Sequence, residues 1–97
     1  MDRISENVLT IMLRQTYYKG WCECELWQLY DFYGASRLSK NVWRDIKNRW
    51  DENVADDPDR PGLGIIRYSE NASLLFVYLK PEFACNNTVR TIESMIK

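Results

Sequence analysis

Segment 36–53 constrains this chain more than any other, because its apolar and basic residues separate onto opposite sides of one helix. At about 100° per residue, Leu38, Val42, Trp43, Ile46 and Trp50 gather on one side, and Arg37, Lys40, Asn41, Arg44, Lys47 and Asn48 on the other. Ser36 and Ser39 both offer N-cap chemistry, and the helix is expected to run to about Asn53. A stripe carrying two Trp must be buried against neighbouring elements, so the rest of the chain is read for what supplies them.

Upstream, Ser5-Glu6-Asn7 has cap chemistry for a first helix that Gly20 closes, with Ile4, Val8, Ile11, Met12 and Leu13 as its expected apolar face. Trp21 to Cys24 alternates and predicts a strand fragment or a connector. Residues 25–33 predict a second helix with Leu26, Leu29, Tyr30 and Tyr33 on one stripe, and Gly34 stands where a left-handed C-cap is wanted. Downstream, the Asp-, Pro- and Gly-rich segment 53–64 predicts a loop. Two strand-like runs, 65–68 and 74–79, flank the polar segment 69–73 as a hairpin would. The second run is apolar at nearly every position, which predicts cover on both faces. Asn87 or Thr88 is the expected cap of a short final helix over 87–96. The expected class is α+β, in one domain spanning 1–97 with its core over 5–80.

Composition narrows the function classes. Four Trp, six Tyr and three Phe supply a core without disulfide staples. Three cysteines, Cys22, Cys24 and Cys85, cannot all pair within the chain, which suits a reducing compartment. Histidine is absent, which removes the commonest general base and any Cys2His2 zinc set. The acidic run of Asp51, Glu52, Asp56, Asp57 and Asp59 lacks calcium-loop spacing and reads as a solvated loop. No glycine motif cradles phosphate. The expectation is therefore no enzyme, no cofactor and no metal. No apolar run approaches the length of a membrane span, and the first residues lack signal-peptide character, so the expected location is cytoplasmic. Net charge is −1, so an electrostatic partner must be read from the distribution of charge.

Helix, short strand, helix, glycine turn, helix, hairpin, helix: this order resembles the winged helix-turn-helix superfamily over about residues 5–80. The resemblance implies a three-helix core, a third helix able to enter a DNA major groove, and a hairpin wing beside it. Five of the thirteen basic residues lie between Arg37 and Arg49. On this reading Arg37, Lys40, Asn41, Arg44, Lys47, Asn48 and Arg67 contact DNA, the cations on phosphates or guanine edges and the amides on adenine. The expected role is a small sequence-specific transcriptional regulator, of a size and charge that suit a viral or plasmid-borne protein. A homodimer would form through Val89, Ile92, Met95 and Ile96, with the apolar strand 74–79 as a further contact. Glu70 at the wing tip, with no Lys or Arg there, counts against phosphate gripping by the wing.

A second function class competes. The same scaffold can serve as a protein-interaction module, such as a small viral inhibitor of a host protein. Trp27, Asp56, Asp57 and Asp59 would then carry partner binding, with Tyr17, Tyr18 and Phe32 extending an aromatic surface. Trp43 and Trp50, seven residues apart on the apolar side, are expected in the core.

Overall fold

The computed structural model describes residues 1–35, 37–68, 73–80 and 89–97. Among them the chain runs α1 (Arg3–Lys19), β1 (Trp21–Glu25), α2 (Leu26–Tyr33), α3 (Lys40–Asn53), β2 (Gly62–Tyr68), β3 (Ser73–Leu79), β4 (Arg90–Thr91) and α4 (Ile92–Ile96). The fold is mixed α+β, with an antiparallel sheet in the order β1-β3-β2-β4.

Helix α1 starts earlier than its Ser-Glu-Asn sequence suggests. Asp2 is the cap, its Oδ1 accepting from the Ser5 amide at 2.7 Å, and Ser5 is buried one turn in. The inward face is also rotated from the expected one. Leu9, Leu13 and Thr16 are buried, whereas Ile4 and Ile11 face outward. Thr16 sits in the core without penalty because its hydroxyl donates to the Met12 carbonyl at 2.9 Å. Gly20, at φ 97°, turns the chain directly into β1.

β1 is a full five-residue strand. Its alternation buries Cys22 and Cys24 and leaves Trp21, Glu23 and Glu25 outside. Register carries that alternation across the sheet: Cys22 stands beside Phe76, which stands beside Ile65, and Cys24 beside Leu74. This face packs on the helices, and Cys24, Leu63, Ile65, Leu74 and Phe76 join Leu9, Leu13, Leu29, Ile46 and Trp50 in one core. Fully burying each Leu or Ile contributes about 1.5–3 kcal/mol. Along β3 every position is buried or half-buried, as its unbroken apolar run predicts.

Glu25 and Gln28 form a capping box at the start of α2. Phe32 joins Leu29 as a buried residue of α2, while Leu26 and Tyr33 pack half-buried against the core. Phe32 is thus withdrawn from the expected aromatic surface, and Tyr17 is half-buried, its ring centroid 6.4 Å from that of Trp50. Gly34, at φ 58°, ends α2.

α3 begins at Lys40 with Ser39 as N-cap, so Arg37 and Leu38 precede the helix; Ser36 lies outside the described residues. Of the expected apolar stripe, Val42, Trp43, Ile46 and Trp50 are buried, while Leu38 packs half-buried against the core from ahead of the helix. Trp50 Nε1 donates to the Pro61 carbonyl at 2.9 Å, which satisfies the indole and pins the following loop to the helix.

At the C-terminus the expected helix over 87–96 is shorter. Arg90 and Thr91 pair with Ile65 and Gly64 as an edge strand, and the Thr91 hydroxyl caps α4. Asn87 and Thr88 lie outside the described residues, as do Glu70 of the hairpin tip and Cys85. Ile92 is buried in the core, with Met95 and Ile96 half-buried against it. Burial removes Ile92 from the expected dimer contact, while Met95 and Ile96 stay partly exposed. Val89 is also occupied, with its Cγ1 over Gly64.

Candidate nucleic-acid interface on α3

The outward side of α3 is built by the stripe that buries its inward side. With Ile46 and Trp50 fixed in the core, helical geometry turns Lys40, Asn41, Arg44 and Asn48 to solvent, and all four are exposed. Arg37 is exposed in the turn just ahead of the helix. Arg44 Nη1 donates to Asn41 Oδ1 across 3.4 Å, a long contact between successive turns of one face. Among the described residues, no carboxylate lies within ion-pair distance of Arg37, Lys40 or Arg44.

Two other cations of the helix are spent internally. Lys47 Nζ meets Asp51 Oδ2 at 2.6 Å, and that hydrogen bond raises the lysine pKa further than the field of Glu93 on α4 does. Arg49 is directed inward, its Nε 2.8 Å from Asp45 and its Nη2 3.4 Å from Glu6 of α1. The segment expected as a uniform cationic face is thus divided. Its first half presents free positive charge and amides, and its second half is neutralised or acidic.

This division runs against the helix dipole. The first turn of α3 holds Lys40 and no acidic residue, and the last turn holds Asp51 and Glu52 and no basic one. Charges matched to the dipole stabilise a helix by about 0.3–1 kcal/mol each, and these are reversed.

Arg67 is exposed on β2, at the register position opposite Leu74 and hence on the helix-bearing side of the sheet. The hairpin tip itself, 69–72, lies outside the described residues.

The residues of the competing surface are not brought into one free acidic patch. Trp27 is 61% exposed and its indole N–H donates to Glu25. Asp56 and Asp59 are exposed. Asp57 is committed to the fold: its carboxylate accepts the Tyr17 hydroxyl at 2.6 Å and the Asp59 amide at 2.8 Å. The Tyr17 bond holds the Asp57 pKa below the usual carboxylate range and pushes the phenol up to about 12. Burial raises the Cys24 thiol to about 12 and moves Cys22 in the same direction, so neither is a ready thiolate at neutral pH.

No helix among the described residues is long and apolar enough to cross a membrane. Comparison of the chain with protein-family models, with curated proteins and with solved structures gives no match.

Proposed function

We propose that this chain is a winged-helix domain that binds double-stranded DNA, with the first half of α3 lying in the major groove. The observation that carries the reading is the cluster of Arg37, Lys40, Asn41 and Arg44. These side chains are exposed, unpaired with any carboxylate among the described residues and set at the helix end where the dipole disfavours cations. A helix-turn-helix reader contacts base edges with the N-terminal residues of its second helix, which is where this cluster sits. Positive charge that costs the helix stability is accounted for when its use is intermolecular.

The order of elements supports the scaffold half of the proposal. A strand between the first two helices pairs with the last strand of a hairpin that follows the third, giving β1-β3-β2 with helices on one face. Arg67 then supplies a phosphate contact from the hairpin, and Asn48 extends the reading surface by one turn. Lys47, held by Asp51, is not part of it.

Replacement Arg44→Glu tests the reading. Anisotropy with duplex DNA at moderate salt is expected to show at least a tenfold loss of affinity with an unchanged thermal transition; full affinity in the folded variant refutes the groove assignment. One observation favours the protein-interaction module, the exposure of Trp27. Its test is a partner lost on Trp27→Ala in a chain that shows no affinity for DNA at low salt.

A further inference from the structure

Ile4, Ile11 and Tyr18 are 75%, 63% and 78% exposed, and they follow one another at seven-residue intervals along α1. Seven residues are nearly two helical turns, so the three side chains form one line about 21 Å long. That line runs along the centre of the outward side, opposite Leu9, Leu13 and Thr16. Amides border it, Asn7 on one side and Gln15 on the other, and beyond them stand Arg3, Arg14 and Lys19. Among the described residues no carboxylate pairs with these three cations. Of the acids of α1 itself, Asp2 caps the helix and Glu6 meets Arg49 of α3, while Glu52 of α3 lines one cleft with Arg14 without forming an ion pair.

We propose that α1 is a docking seam for an acidic amphipathic helix of a partner protein, independent of the α3 surface. Three arguments select this occupant. An exposed apolar line edged with amides and cations matches one partner helix that brings an apolar stripe and acidic flanks along it. A wider apolar face would be needed to enter a lipid surface, and immersion here would carry Asn7 and Gln15 with it. A second copy of the chain is disfavoured by charge. In either orientation a self-pairing along this line brings Arg3, Arg14 and Lys19 of both copies together, which collects six cations along one seam. A helix carrying apolar residues at heptad spacing and Glu at the flanking positions covers the line and neutralises its edges.

The probe is a synthetic helix of about three heptads, with Leu at the seam positions and Glu flanking them. It is titrated into the full chain and followed by anisotropy, beside the same peptide with Lys flanks. The acidic peptide is expected to bind at least tenfold more tightly than the basic one. Ile11→Glu should weaken binding at least tenfold, and the double variant Arg3→Glu with Arg14→Glu should transfer the preference to the basic peptide. All these side chains are exposed, so the variants should keep the parent thermal transition. Equal affinity for the two peptides, no saturable binding of the acidic one, preferential binding to phosphatidylserine vesicles, or dimerisation of the free chain through Ile11 each overturns the proposal.

Discussion

The Tyr33 hydroxyl donates to Asp45 Oδ2 across 2.6 Å and so ties the end of α2 to the second turn of α3. Arg49 reaches the same oxygen at 2.8 Å, so one carboxylate fixes the angle at which α3 leaves the Gly34 corner. Replacing Tyr33 with Phe removes the bond and keeps the ring. The expected cost is about 1 kcal/mol, below the roughly 1.5–3 kcal/mol of a buried bond to a charged group, because the Asp45 side chain is 39% exposed. Urea unfolding measures it.

The same carboxylate sets a pH dependence. Partial burial alone would raise the Asp45 pKa, but hydrogen bonds from Tyr33 and Arg49 outweigh it and hold the value below 3.8. The amide bond from Ser5 lowers Asp2, and the Tyr17 bond lowers Asp57. A carboxylate whose pKa is depressed on folding contributes stability above its unfolded value, and that contribution is lost as pH falls through the folded one. The urea midpoint should therefore fall as pH drops below 3.8, and Tyr33→Phe should show a smaller fall than the parent.

Arg60 adopts φ 42° in the loop after α3, with its amide donating to the Asp57 carbonyl at 3.1 Å. A side chain in the left-handed region costs about 1–2 kcal/mol, and glycine avoids that while losing some entropy of its own. Arg60→Gly should stabilise the chain by about 0.5–1 kcal/mol in urea unfolding. A loss of stability would mean that the Arg60 side chain makes a contact worth more than the strain.

Gly64 allows close packing on the outer side of the sheet. A Cβ there would lie 2.9 Å from Val89 Cγ1 and 3.0 Å from Leu79 Cγ and Cδ1. Leu79 can turn away, but branched Val89 has less room to move, so Gly64→Ala should destabilise by about 1–3 kcal/mol. Val89→Ala in the same chain should recover part of that loss.

Lys47 and Arg44 test the division of α3 into internally paired and exposed cations. Lys47→Ala removes an internal i,i+4 pair with Asp51 and should leave DNA affinity within about twofold, whereas Arg44→Ala should cost about 1–3 kcal/mol of binding. Equal effects from the two would contradict the division of the helix.

Much of the scaffold is legible in the sequence because its signals are local. Gly20 and Gly34 stand where left-handed caps are needed, and the Val42/Trp43/Ile46/Trp50 stripe has no other way to be buried. The face of α1 is not legible by the same means. Ile4 and Ile11 satisfy a helical apolar pattern, yet the core takes Leu9 and Thr16, a choice fixed by how the helix seats on β1 and β3. The fate of α4 is likewise set by distant residues, since Ile92 is buried against α3 and β2. At the candidate site, the exposure of Lys40, Asn41, Arg44 and Asn48 follows from the stripe. The withdrawal of Lys47 turns on a side-chain rotamer that sequence spacing permits but does not decide.

The central claim is that the first half of α3 neutralises phosphates, and its most direct test is a salt titration of affinity for duplex DNA. Four exposed cations, Arg37, Lys40, Arg44 and Arg67, predict a slope of log affinity against log salt of about −3 to −4, reduced by about one unit in Arg44→Ala. A slope near zero, or no binding at low salt, contradicts it.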